Sequence, residues 1–152
     1  MTAISAKEMQ QRVASIASTA WIKPKVNEIV ENDQKALKER KINEFEFGVR
    51  PNNKKIGKYE SEDYAFRKNM MNGLAGFGNV DLINTKYFSS SLFVLSNSVG
   101  YIFDSPADYK DRLVTTYGRD ILGLNQKWFN ERQIKVYRDL LLFDISKVLN
   151  KK

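Results

Sequence analysis

Three consecutive hydroxyls, Ser89, Ser90 and Ser91, and two carboxylates one residue apart, Glu44 and Glu46, are the groups whose types and spacing could do covalent or acid–base chemistry. A serine nucleophile needs an activating base. The sequence has no histidine, which leaves lysine for that task and removes Ser/His/Asp and Cys/His systems together. No S-x-x-K tetrad surrounds the three serines, so they read as part of a strand surface. Glu44 and Glu46 share one face of an extended segment, the placement a glycosidase uses for its carboxylate pair. On a half-exposed strand the same two residues are its solvent side. The glycines of GLAGFG, residues 73–78, match neither G-x-G-x-x-G nor G-x-x-x-x-G-K-[ST] and carry no phosphate-loop signature. With no cysteine there is no disulfide and no thiolate metal site. The expectation is therefore a protein that is not an enzyme, with no catalytic residues, metal or cofactor.

A second chemistry is anion recognition. Arg50, Lys54, Lys55 and Lys58 lie between Phe47 and Tyr59, and bases interleaved with aromatics hold phosphates and stack nucleobases. The formal net charge of +7 favours polyanionic partners, but acids accompany the bases in nearly every segment, so the total charge decides nothing. These four residues are the candidate contact set for a protein partner or DNA. A solubilised turn accounts for the same residues at less cost.

The elements that must position these groups follow from periodicity. Met9, Val13, Ile16 and Ala20 recur on one helical face, and Pro24 disfavours helical geometry at Lys23, predicting a break there. A second helix opens at Pro24 and turns Val26, Ile29, Val30 and Leu37 inward. Phe45 and Phe47 alternate with Glu44 and Glu46, the period of a strand, and Gly48 to Lys58 supply the turn chemistry of an exposed hairpin or loop. Ser61, followed by Glu62 and Asp63, caps a short helix to about Met71, ended by Asn72 and Gly73. Gly73 to Asp81 is an irregular surface connection.

Tyr87 to Leu95 and Val99 to Phe103 read as strands joined at Ser96, Asn97 and Ser98, the first apolar on both faces and so near the middle of a covered sheet. Ser105, Pro106 and Asp108 form a capping arrangement for a helix carrying Tyr109, Leu113 and Tyr117 and ending at Gly118. Asn125 caps a last helix to about Asn150, with Ile134, Tyr137, Leu141, Ile145 and Val148 inward. Leu140 to Phe143 are consecutive apolar residues, so that helix is either buried centrally or meets another chain.

At 152 residues the chain buries roughly two thirds of its unfolded surface, enough for one ordinary core. The order predicts an α+β fold: an antiparallel sheet packed against helices, with a long N-terminal helical arm over residues 1–40 and a single α+β domain over 41–152. No stretch approaches the ~20 apolar residues that span a bilayer, so no membrane partner is expected. Lys7, Glu8, Gln10, Gln11 and Arg12 interrupt the N-terminus where a signal peptide would be apolar, and the expected location is a cytoplasm unless the protein is packaged.

One block is specific enough to suggest a family. IGKYESEDYAFRK followed by GLAGFGNVDLINT and YFSSSLFV resembles a pattern of small structural proteins of tailed bacteriophages and prophages, in which Y-x-S-x-x-Y-A-x-x-K is followed by D-L-x-x-T-G-x-[FL]. YGRDILGLNQKWF is similar to their Y-G-x-x-I-x-G-L segment. The resemblance covers about residues 40–150 and is most specific at Gly57, Tyr59, Tyr64, Ala65, Lys68, Asp81, Leu82, Thr85, Phe88, Gly118 and Gly123. Lys86 stands where that group usually carries glycine. More distantly, the chain resembles tail-completion and virion-morphogenesis proteins that form rings at the head-to-tail joint or tail end. The resemblance implies a non-enzymatic virion protein assembled in the bacterial host cytoplasm: a head-to-tail connector, neck, tail-completion or tail component. Its implied partners are copies of itself in a ring and other virion proteins of the neck or tail, with possible contact to packaged DNA; a basic DNA-binding accessory protein of a phage or prophage is the alternative.

Overall fold

The structure, a computed structural model, describes residues 5–83, 86–97 and 100–150. Its elements are α1 (Ala6–Ile16), α2 (Thr19–Asn32), α3 (Gln34–Glu46), α4 (Glu62–Met71), the single turn α5 (Tyr87–Ser90), β1 (Phe93–Asn97), β2 (Gly100–Asp104), α6 (Lys110–Tyr117), α7 (Gln126–Arg132) and α8 (Arg138–Leu149). The fold is α+β, with β1 and β2 paired antiparallel and helices packed on the pair. The chain divides into two compact units, residues 1–33 with 128–152, and residues 34–127. That cut differs from the one expected at residue 40, which falls inside α3.

In the first unit α1 and α2 pack with α8, so the expected arm closes on the chain's own C-terminal helix. Ser5 and Glu8 form a reciprocal capping box at the start of α1. Arg12 donates to the Leu149 carbonyl at 2.9 Å. The break between the first two helices is at Ala17 and Ser18, not at Lys23: the Ser18 hydroxyl caps the Trp21 amide at 3.3 Å, and Pro24 lies inside α2. The serine supplies a local start signal, and packing on α8 outweighs the one hydrogen bond that the proline forfeits. Of the expected stripe Met9, Val13, Ile16 and Ala20, only Ile16 is buried. Ile29 and Val30 are buried as expected, whereas Leu37 belongs to α3, because α2 ends at Asp33. Asp33 accepts hydrogen bonds from two nitrogens of the Arg132 guanidinium, Nε and Nη2, and, at 2.7 Å, from the Tyr137 hydroxyl. The last helix is not continuous. A wider π turn over Gln133–Tyr137 separates α7 from α8 and shifts the helical phase, which turns Tyr137 inward and leaves Ile134 60% exposed.

In the second unit the core contains Leu37, Phe45, Ile56, Val80, Phe88, Leu92, Phe103 and Ile121. The strand expected around Glu44 and Phe47 is instead the end of α3. Leu37, Lys41, Glu44 and Phe45 fall at helical spacing on one buried face, and the Lys41 ammonium meets the Glu44 carboxylate at 2.6 Å within it. Glu44 is therefore interior, not the wet side of a strand.

The segment expected to be strand from Tyr87 starts with α5, and the strand begins only at Phe93. Each serine of the turn donates back to a carbonyl three residues earlier: Ser89 to Lys86, Ser90 to Tyr87 and Ser91 to Phe88, at 3.0, 3.1 and 3.2 Å. Such local hydroxyl bonds support a helical turn over an extended chain. In the hairpin Val94 pairs with Phe103 and both are buried, while Leu95 is exposed, so the sheet has one covered face. The proposed joint residue Ser98, the strand start Val99 and the motif residue Thr85 lie outside the described residues.

Other expectations meet the structure closely. Ser61 caps α4 through the Tyr64 amide, and Asn72 ends it. Val49 and Lys55 bridge across a tight turn, as an exposed hairpin or loop requires. Gly73 to Asp81 is irregular and runs over the surface at Gly73, Leu74, Gly76 and Phe77, while Ala75, Val80 and Asp81 are buried and fasten it to the unit. Gly118 ends α6 at φ +89°, whereas the helix begins at Lys110, since Ser105 spends its hydroxyl on the Ala107 amide and on Ser91.

Gly48, at φ +62°, lets α3 turn directly against residue 80: a Cβ there would lie 2.4 Å from the Val80 carbonyl oxygen. Gly48→Ala is expected to lower the unfolding free energy by about 1–3 kcal/mol from the left-handed conformation alone, with the backbone clash adding to it. Urea denaturation followed by circular dichroism checks this; an unchanged midpoint would contradict it.

Candidate functional site

Six of the residues that carry the resemblance, Tyr59, Tyr64, Lys68, Asp81, Leu82 and Phe88, line one cleft. Tyr64 and Lys68, one turn apart on α4, form one wall with Tyr59 from the segment before it. Asp81 and Leu82 follow the glycine connection, Phe88 comes from α5, and Tyr109, Leu113 and Tyr117 come from α6. The cavity is about 450 Å³. Its walls are aromatic and its floor is ionic.

Asp81 organises that floor. One carboxylate oxygen lies 2.5 Å from Lys68 Nζ and accepts from the Tyr59 hydroxyl and the Ile83 amide at 3.2 and 3.3 Å. The other accepts from the Asn72 amide at 2.9 Å, and Asn72 in turn donates to the Glu46 carbonyl at 3.0 Å. Lys68 donates also to the Ile83 carbonyl at 2.7 Å. Both members of the ion pair are buried, so Coulomb attraction and these extra hydrogen bonds offset a large desolvation cost. Tyr59 also receives the Asp81 amide at 3.2 Å, and its ring meets Tyr64 edge to face at 5.0 Å. Burial pushes the Tyr59 hydroxyl far above the usual phenol value; burial, with Tyr64 and Glu60 nearby, raises that of Tyr117. Both hydroxyls stay protonated at neutral pH.

The rim is cationic. Arg112 and Lys86 line the cleft, both exposed, and neither forms an ion pair among the described residues. Lys86 adopts φ +60°, the left-handed conformation that a glycine favours. A lysine side chain accepts the strain of that conformation here.

The predicted contact set is not brought into this cleft. Arg50 pairs with Asp120 at 2.6 Å and donates to the Ile56 carbonyl at 3.0 Å. Lys55 donates to the Phe47 and Ala75 carbonyls at 3.0 and 2.7 Å. Both fasten the 48–58 turn to its surroundings, while Lys54 and Lys58 are exposed. Arg112, Lys86 and the stripe Tyr109, Leu113 and Tyr117 are cleft residues that sequence reasoning did not assign to a site. The stripe was legible as one face of α6; that it borders a cavity was not, because the opposite wall is contributed by residues about 50 positions earlier.

The opposite side of α4 has another character. Phe66 and Met70 lie about 200° around the helix from Tyr64 and Lys68. They are 59% and 74% exposed; Met71, back on the Tyr64 side of the helix, and Leu74 and Phe77 beyond its end are between 54% and 68% exposed, which makes five large apolar side chains within twelve residues. Phe77 sits between Gly76 and Gly78, both with positive φ, at the turn of the glycine connection. No protein-family model, curated protein or solved structure matches the chain.

Proposed function

We propose that the chain is a non-enzymatic structural subunit of a tailed-phage particle, a head-to-tail connector, tail-completion or tail component that works as one copy in a ring. The observation that carries this reading is the exposed apolar run from Phe66 to Phe77. Water-exposed aromatic and methionine side chains at this density are unfavourable on a free subunit and mark a surface that becomes covered. The family resemblance supplies the particle, and its residues support a mechanical role: Tyr59, Lys68 and Asp81 spend their polar atoms on one another and on the backbone. They hold α4 to the glycine connection, and so they set the presentation of the apolar run. The function is one of surface, performed by contacts between neighbours instead of bond making.

The alternative, a basic DNA-binding accessory protein, draws on the 50–58 turn. Two of its four bases, Arg50 and Lys55, are engaged internally, which leaves Lys54 and Lys58 to meet phosphate and lessens the support for that reading.

The test is direct. Particles purified from a lysate of the producing host are expected to contain the chain at a fixed copy number per particle, and disrupting its gene is expected to leave heads and tails unjoined or tails unfinished. Reversing charge at Lys54, Lys55 and Lys58 together separates the two readings: a fall in DNA retention with intact self-association favours the accessory role. Infectious particles that lack the chain would sink the structural one.

A further inference from the structure

We infer that the aromatic cleft is the socket for a second copy of this chain, which inserts its Phe66–Phe77 run there, head to tail. This deepens the reading of the chain as a self-assembling particle subunit and rests on it for the biological setting. The geometry of α4 carries the argument. Tyr64 and Lys68 face the cleft, and Phe66 and Met70, two residues on from each, project from the opposite side of the same helix. One helix therefore separates a concave apolar site from a convex apolar one. Because the two patches face opposite ways, they satisfy each other between copies in a heterologous contact that repeats, and a repeating contact closes into a ring when its rotation allows. A two-fold dimer through either patch alone would leave the other exposed.

Size and charge agree with this occupant. A cavity of about 450 Å³ lies within the range of roughly 300–1,000 Å³ that accepts a compact apolar group. Phe77, 61% exposed between two positive-φ glycines, belongs to the inserting run. The convex face of α4 also carries Glu62 and Asp63, exposed and outside any ion pair among the described residues, with Arg67 the lone base beside them. The rim of the socket carries Arg112 and Lys86. Opposite charges thus flank the two apolar surfaces and set their register, as is usual where a charged rim surrounds an apolar centre.

The experiment mixes two disabled subunits. Met70→Glu/Phe77→Glu removes the insert, and Arg112→Glu/Thr116→Trp reverses and fills the socket; all four positions are solvent-facing or at the cleft mouth. Sedimentation velocity of the wild-type chain, raised to its solubility limit, is expected to show concentration-dependent association. Each variant alone is expected to weaken it by about 30-fold or more, the scale of losing a hot-spot side chain. Mixed in equal amounts, they are expected to form a 1:1 dimer and nothing larger, because one intact socket meets one intact insert. Circular dichroism checks that each is folded, and if either double variant is not, Met70→Glu and Thr116→Trp alone answer the same question. A wild-type chain that stays monomeric, a variant that assembles normally, or a mixture that forms no dimer would overturn the inference. If the chain is nonetheless present in particles, only the socket assignment falls; if the mixed dimer forms but particles lack the chain, only the particle reading falls.

Discussion

Asp81→Ala is expected to lower the unfolding free energy by about 3–5 kcal/mol, the cost of leaving a buried charge without its partner. The Lys68 ammonium would remain in the interior with one carbonyl acceptor, Ile83, while the Tyr59 hydroxyl and the Asn72 amide each lose an acceptor. Against a typical domain stability of about 5–15 kcal/mol, this removes a third or more. A paired exchange, Lys68→Met with Asp81→Leu, is expected to recover much of the loss, since a well-packed apolar pair carries no desolvation cost. Urea denaturation of the three proteins measures both effects. A loss below about 1 kcal/mol for the single variant, the scale of an exposed ion pair, would show that the floor of the cleft is wet. The functional consequence is specific. Without the pair α4 loses its tie to the glycine connection, so the proposed self-association is expected to fail at temperatures where the rest of the unit remains folded.

The second large effect is at Glu44. Lys41 is enclosed between the Phe45 and Phe103 rings, each centroid 5.5 Å from Nζ, with Glu44 at 2.6 Å and the Ile121 carbonyl at 3.2 Å. Arg40 Nε lies 3.3 Å from the other Glu44 oxygen. Burial lowers the Lys41 pKa from the ordinary value of 10.5, and Glu44 opposes that fall. Glu44→Ala removes the opposition and is expected to cost about 3–5 kcal/mol at neutral pH. The sign of the pH dependence follows. Between the depressed folded value and 10.5 the unfolded chain binds more protons at Lys41 than the folded chain, so this residue's contribution to stability rises with pH across that window. The deficit of the variant is therefore expected to shrink as pH is raised toward 10.5, where Lys41 can be buried neutral. Denaturation midpoints for both proteins from neutral to alkaline pH test this. A deficit that grows with pH would mean that Lys41 is not the group left unpaired.

These two networks show where the sequence is readable and where it is not. The Lys68 and Asp81 positions stand out through the resemblance to phage structural proteins, but Lys41 and Glu44 had no such signal. Lysine and glutamate three apart on a helix are ordinarily a solvated pair. The alternation Glu44, Phe45, Glu46, Phe47 then imitates a strand of period two. The helical stripe becomes visible only when Lys41 and Glu44 are counted as interior, which requires knowing that Phe103 and Ile121 cover them. Pro24 failed as a breaker for a related reason: its cost is local, and the packing that offsets it comes from α8, more than a hundred residues later.

Features decided within a few residues of themselves were determined by the sequence alone. Ser61 caps α4 and Asn72 stops it, Gly118 ends α6, and the lack of histidine and cysteine limits the available chemistry, because each rests on backbone donors, left-handed turns or side-chain inventory near at hand. The tertiary structure decided what depends on distant partners. It buried one ion pair beneath a hairpin, turned three serines back onto their own carbonyls, inserted a π turn that exposes Ile134, and placed the cleft and the exposed pair Phe66 and Met70 on opposite sides of α4. Burial is a sum over neighbours that the chain brings together only when folded, so no local pattern of residues contains it.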